Sequence, residues 1–199
     1  MRWFGGVEIM LRNFAKLGLP RVRGVAMDGR SKEERNVRWN PPDHGLVKVN
    51  CNVRVYRKRR RVGYGIIVRD DGGRVLWCSA QGCEANYDLN CAKALAIYKG
   101  LLVGCNLGLA NFVVETNSKM VVKQIWNGDN LEVCHGGILD AIQNIMTDGR
   151  SIVFNTVSAK ANKVALALAN EALSITNLVT WKEDAPICIK AMVNDEQRT

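Results

Sequence analysis

Six cationic side chains, Arg54, Arg57, Lys58, Arg59, Arg60 and Arg61, crowd into one short stretch with no acid among them. Guanidinium and ammonium groups at that density suit contact with nucleic-acid phosphates, which is independent of base sequence and weakens with salt. No aromatic ladder interleaves the run, so single-strand stacking is not expected from it. A second basic group, Arg21, Arg23, Arg30, Lys32, Arg35 and Arg38, is diluted by Asp28, Glu33 and Glu34. Groups for metal or covalent chemistry are sparse. His44 and His135 have no ligand-spaced partner. The seven cysteines, Cys51, Cys78, Cys83, Cys91, Cys105, Cys134 and Cys188, form no C-x-x-C pair and read as reduced thiols acting as small hydrophobes.

The elements that must position these groups follow from composition and periodicity. A chain of 199 residues, 47% of them hydrophobic, can build one core. With 28 Lys and Arg against 19 Asp and Glu, the formal charge is +9, which points to an acidic partner, nucleic acid first. No apolar run approaches the ~20 residues of a bilayer span. Residues 1–38 read as a basic extension, a poor secretory signal and loosely amphipathic, which leaves organelle targeting open; otherwise the expected location is intracellular, nuclear or cytoplasmic. Residues 39–195 read as the domain, and 196–199 as a tail.

Within the domain, Val47, Val49, Cys51, Val53 and Val55 alternate with Lys48, Asn50, Asn52 and Arg54, the period of a half-buried strand. The Arg/Lys run reads as a turn. Gly65–Arg69 and Val75–Ala80 read as two further strands joined at Asp70–Gly73, giving an antiparallel meander. Helices are expected over Asp88–Cys105, Lys119–Trp126 (with cap chemistry from Asn117 and Ser118), Gly136–Met146 and Ala161–Leu173, and strands over Phe112–Glu115 and Ile152–Val157. The result is an α/β fold with a five-stranded mixed sheet, its first three strands a meander, flanked by helices.

Several motifs recur in order along this frame: W-x-P-P at Trp39–Pro42, K-x-N at Lys48–Asn50, and G-x-G-x-x-x-R-D-x-x-G from Gly63 to Gly73. A-x-A-L-A-x-x-x-G-L follows from Ala92 to Leu101, E-T-x-S from Glu115 to Ser118, and N-x-V-A-x-x-L-A from Asn162 to Ala169. Trp181, Glu183 and Pro186 close the series. In this combination the chain resembles the plant-type, reverse-transcriptase-associated ribonuclease H-like domain of retroelements, over Trp39 to about Asp195.

The resemblance implies a ribonuclease H-like fold and a two-metal site in which four carboxylates hold two Mg²⁺ for hydrolysis of the RNA strand of an RNA/DNA hybrid. At the matching positions stand Asn52, Lys93, Asn117 and Leu166. Four carboxylates carry −4; two amides, one ammonium and one alkyl group carry +1. One unit-charge interaction at about 4 Å is worth ~1 to ~4 kcal/mol between bulk-water and protein-surface dielectrics. No metal is therefore expected, and neither is catalysis. Of the nearby acids, Glu115, Asp88 and Glu84 match no family position. Asn90, three residues before Lys93, stands where family members place a groove-contacting Asn, and Lys93 could meet a phosphate directly. The expected function is sequence-nonspecific binding of RNA/DNA hybrid or double-stranded RNA through Arg54, Arg57, Lys58, Arg59, Arg60, Arg61, Asn90 and Lys93. The rivals are an active hybrid ribonuclease, a protein-docking module and a relic without a role.

Overall fold

The strand with the alternating pattern lies at the centre of the sheet and not on a half-solvated flank. The computed structural model describes residues 38–127 and 137–197; most of the extension, with Cys134 and His135, lies outside the described residues. Strand β1 (Val47–Tyr56) pairs antiparallel with β2 (Arg61–Arg69) and parallel with β4 (Asn111–Thr116). β3 (Val75–Glu84) follows β2, and β5 (Ser151–Thr156) runs parallel to β4. The sheet order is β5-β4-β1-β2-β3-β6.

Helices cover both faces. α1 (Leu89–Asn106), α2 (Lys119–Asn127) and α3 (Gly137–Met146) close one apolar cluster over Val49, Cys51, Val114 and Phe154. On the other face, α4 (Lys163–Glu171) and α5 (Ile187–Gln197) close a smaller one over Ile67 and Cys78. The polar side of β1 is therefore buried too: Lys48, Asn50 and Asn52 are 6%, 1% and 4% exposed. A central strand covered on both faces hides both sets of side chains.

Two close approaches fix α4 against the sheet. A Cβ on Gly63 would sit 2.1 Å from the Ala169 carbonyl oxygen, and one on Gly65 2.3 Å from that of Ala165. Only glycine lets the helix backbone come this near. At the other end of β2, Asp70 Oδ1 accepts from the backbone N–H groups of Gly72 (3.0 Å) and Arg74 (2.9 Å), which closes the hairpin turn, with Gly73 at φ +76°.

The observed elements depart from expectation in several places: β2 starts at Arg61 and β3 runs on to Glu84. The sheet has six strands: β6 (Leu178–Lys182) pairs antiparallel with β3, and α5 follows it. Val179, Thr180 and Trp181 are good strand formers, but the run is only five residues long and none of them is fully buried. The closing helix is shorter than Ala161–Leu173, because its last turn tightens to a 3₁₀ turn, Ala172–Ser174. Finally, α5 runs to Gln197, and Glu196, assigned by sequence to the tail, is buried against Arg69.

Candidate nucleic-acid interface

The four positions of interest lie on β1, in α1, just past β4 and in α4. Asn52 follows Asn50 by two residues on one face of that strand. In β4, Glu115 pairs with Asn50 in parallel register, and Asn117 follows Glu115 by the same step. β4 ends at Thr116, so Asn117 lies just past the strand, in the bend that leads to α2. α4 approaches from above: Asn162 Nδ2 donates to the carbonyl oxygen of Cys51 (3.0 Å), next to Asn52, and Leu166 lies one turn further along, its N–H bonded to Asn162 O. Asn162 occupies the N-cap position of α4 but makes no cap bond with its side chain, which ties the helix to β1 instead.

Lys93 sits in the second turn of α1, half-buried between buried Ala92 and Ala94. Among the described residues no carboxylate is ion-paired with it. Asn90 does not cap α1. Asp88 does, its Oδ1 accepting from the N–H groups of Asn90 (2.8 Å) and Cys91 (3.0 Å). Ser118 starts α2 through its carbonyl, which accepts from Val122 N–H; its buried Oγ has no partner among the described residues, contrary to the expected side-chain cap.

Asn52 turns its Oδ1 back to the N–H of Val53 (2.9 Å), and its buried Nδ2 has no partner among the described residues. The amide at this position therefore presents a donor where a metal site needs an oxygen. Glu115, the acid nearest in sequence to Asn117, is fully engaged. Its Oε1 is 2.7 Å from Lys48 Nζ, and its Oε2 accepts from Asn50 Nδ2 at 2.9 Å. The network continues outward, with Asn50 Oδ1 accepting from Trp39 Nε1 (2.9 Å) and Arg69 (3.1 Å). Arg69 bonds Glu196 at 2.6 Å and lies 3.5 Å from the Trp39 ring centroid. Burial lowers the Arg69 pKa, and the Glu196 carboxylate pulls it back up. Asp88 is spent on its cap, and Glu84 lies exposed at the end of β3. Among the described residues no group of three His, Cys, Asp or Glu could hold a metal ion. The residues present do not fit Mg²⁺, a hard cation that wants charged oxygens.

The basic run divides in two. Arg57–Arg59 form a 3₁₀ turn between β1 and β2, and Arg54, Arg57, Lys58, Arg59 and Arg60 are all exposed. Arg61 belongs to β2 and turns inward. Its guanidinium donates to the carbonyl oxygens of Leu173 (3.1 Å) and Ile175 (2.6 Å), completing the turn that ends α4. The expectation that Arg61 faces a ligand with its neighbours is corrected on that ground, since a guanidinium is held where it satisfies two orphaned carbonyls. One residue in the run was passed over: Tyr56, 40% exposed, with the Arg59 guanidinium 5.7 Å from its ring centroid.

A mixed sheet in this order, with helices on both faces, defines a ribonuclease H-like domain. Residues 50–172, more than half of the chain, match the family model described as reverse transcriptase-like, and the chain belongs to that family. Solved structures agree on the fold. Ribonuclease H1 from the archaeon Halobacterium salinarum is 19% identical, with a TM-score of 0.59, covering 65% of this chain and 98% of that one. The N-terminal ribonuclease H domain of rv2228c from Mycobacterium tuberculosis is 26% identical at a TM-score of 0.56, covering 64% and 93%. LC11 ribonuclease H1, solved in complex with an RNA/DNA hybrid, is 19% identical at 0.53, covering 64% and 96%. No curated protein matches the chain. β6 and α5 lie beyond the family match. No described helix is long and apolar enough to cross a membrane.

Proposed function

We propose that this domain grips a nucleic-acid duplex, RNA/DNA hybrid or double-stranded RNA, by its backbone, without reading sequence and without cutting. It is a metal-free pseudonuclease of plant-type retroelement origin, acting in the nucleus or cytoplasm. The observation that carries the reading is the pairing of Glu115 with Lys48 and Asn50 beside positions held by Asn52, Lys93, Asn117 and Leu166. A site that once drew in two cations now has one ammonium, and its nearest acid is neutralised. Phosphate, which the family brings to the metals, can meet Lys93 instead. The exposed hairpin cations Arg54, Arg57, Lys58, Arg59 and Arg60 extend the contact. The LC11 enzyme, of the same fold, is known with a hybrid bound, which supports that ligand class for this chain.

The test is a titration of fluorescent RNA/DNA hybrid at low and high salt, first with Mg²⁺ and then with EDTA. Binding is expected at low salt and to fall about 10³-fold or more between ~50 and ~200 mM salt if six or more phosphates are contacted. A loss of binding on removing Mg²⁺, or no binding at low salt, contradicts the proposal.

A further inference from the structure

We infer that the tip of the β1–β2 hairpin carries a stacking site for an unpaired nucleobase, built from Tyr56 and Arg59. The domain would then prefer the junction where a duplex gives way to a single strand. The inference rests on the proposed function, because it sets the base site on the face that would carry the duplex.

The placement comes from strand register. Asn52, Arg54 and Tyr56 alternate on one face of β1, opposite Gly65, Gly63 and Arg61 of β2. Four residues of strand put Tyr56 about 14 Å beyond Asn52, roughly the rise of four stacked bases. α4 covers Gly63 and Gly65, while Arg54 and Tyr56 remain exposed.

The tip is also held in shape. Arg60 N–H donates to Arg57 O (3.0 Å), and Ala85 N–H donates to Arg60 O (2.8 Å). Arg60 adopts φ +50°, a left-handed conformation costly for a residue with a Cβ. Arg61, the cross-strand partner of Tyr56, is pinned by its two carbonyls. Among the described residues Tyr56 belongs to no apolar cluster, so its ring is not needed by the core. An aromatic ring flanked by a guanidinium, among exposed cations on a tip whose backbone is held, is the combination that takes a base by its π-face and the adjoining phosphates by charge. The surrounding charge density makes an apolar protein partner a poor fit.

The experiment compares the full chain on three labelled hybrids at low salt: blunt, with a short unpaired extension, and with the same extension made abasic. The extension is expected to tighten binding about fivefold or more, and the abasic version is expected to lose that gain while keeping its phosphates. Tyr56→Leu removes the gain and leaves blunt-hybrid affinity within about twofold; Tyr56→Phe keeps it, since the π-face remains. Equal affinity for blunt and extended hybrids, a gain that survives Tyr56→Leu, or an abasic extension as good as the normal one overturns the inference. A single strand that binds through Tyr56 while the blunt hybrid does not would instead sink the proposed duplex grip and leave the stacking site standing.

Discussion

Lys48 Nζ lies 2.7 Å from Glu115 Oε1, and both side chains are less than one-tenth exposed. The pair joins two neighbouring parallel strands. Lys48 also donates to Asn40 O (2.7 Å), which draws in the segment carrying Trp39. Breaking a buried pair from one side leaves an uncompensated charge, at a cost of about 3–5 kcal/mol. Lys48→Met should lower unfolding free energy by that amount in denaturant titration. Adding Glu115→Leu should recover much of the loss. A single variant as stable as the parent would show that the pair contributes nothing.

The hairpin cations separate by role. Replacing Arg57, Lys58 and Arg60 together with Ala should flatten the salt dependence of hybrid binding, by about one unit of slope for each phosphate no longer neutralised. Stability should change by less than about 0.5 kcal/mol per exposed site. Arg61→Ala should do the reverse, costing roughly 1.5–3 kcal/mol per charge-assisted bond with the slope unchanged. An unaltered slope in the triple variant removes the cluster from the interface.

Lys93 is the residue on which direct phosphate contact depends. Lys93→Glu should weaken binding at low salt and reduce the slope by about one, with Lys93→Met intermediate. Unchanged or tighter binding by Lys93→Glu would exclude it as a phosphate ligand.

Two buried thiols set an alkaline limit. Burial pushes Cys51 and Cys78 up from the ordinary 9.0 to about 12; Glu115 adds to the shift at Cys51, while the Arg69 charge opposes it at Cys78. An acid whose folded pKa is raised stabilises the fold below its unfolded pKa, and that stability is lost as pH rises toward the folded value. Unfolding free energy should therefore fall above about pH 9, by roughly 1.4 kcal/mol per pH unit for each thiol. Alkylation of the native protein should reach exposed Cys188 and spare Cys51 and Cys78. A flat stability curve between pH 9 and 11 would contradict this origin.

The order of strands and helices was legible because alternation in Val47–Val55 and the Gly-Tyr-Gly step of β2 are local signals. The burial of Lys48 and Asn50 was not, because it depends on helices covering both faces, and periodicity alone reads polar alternation as a solvated face. The same limit hid Glu196 in a supposed tail and Arg61 in a supposed turn: each is held by a partner more than a hundred residues away. That Asn52, Lys93, Asn117 and Leu166 carry no carboxylate was visible from residue types. That Glu115 is committed to Lys48 could come only from the parallel register of β1 and β4. Tyr56 carried a signal in its run of cations, but one aromatic does not make a ladder.

The most direct test of a grip without a cut is to incubate RNA/DNA hybrid, labelled on the RNA strand, with excess protein and Mg²⁺ and resolve the strand on a denaturing gel. The predicted result is intact RNA under conditions in which the hybrid is bound. RNA fragments that disappear when EDTA is added would contradict it, and would mean that acids elsewhere in the chain hold a metal.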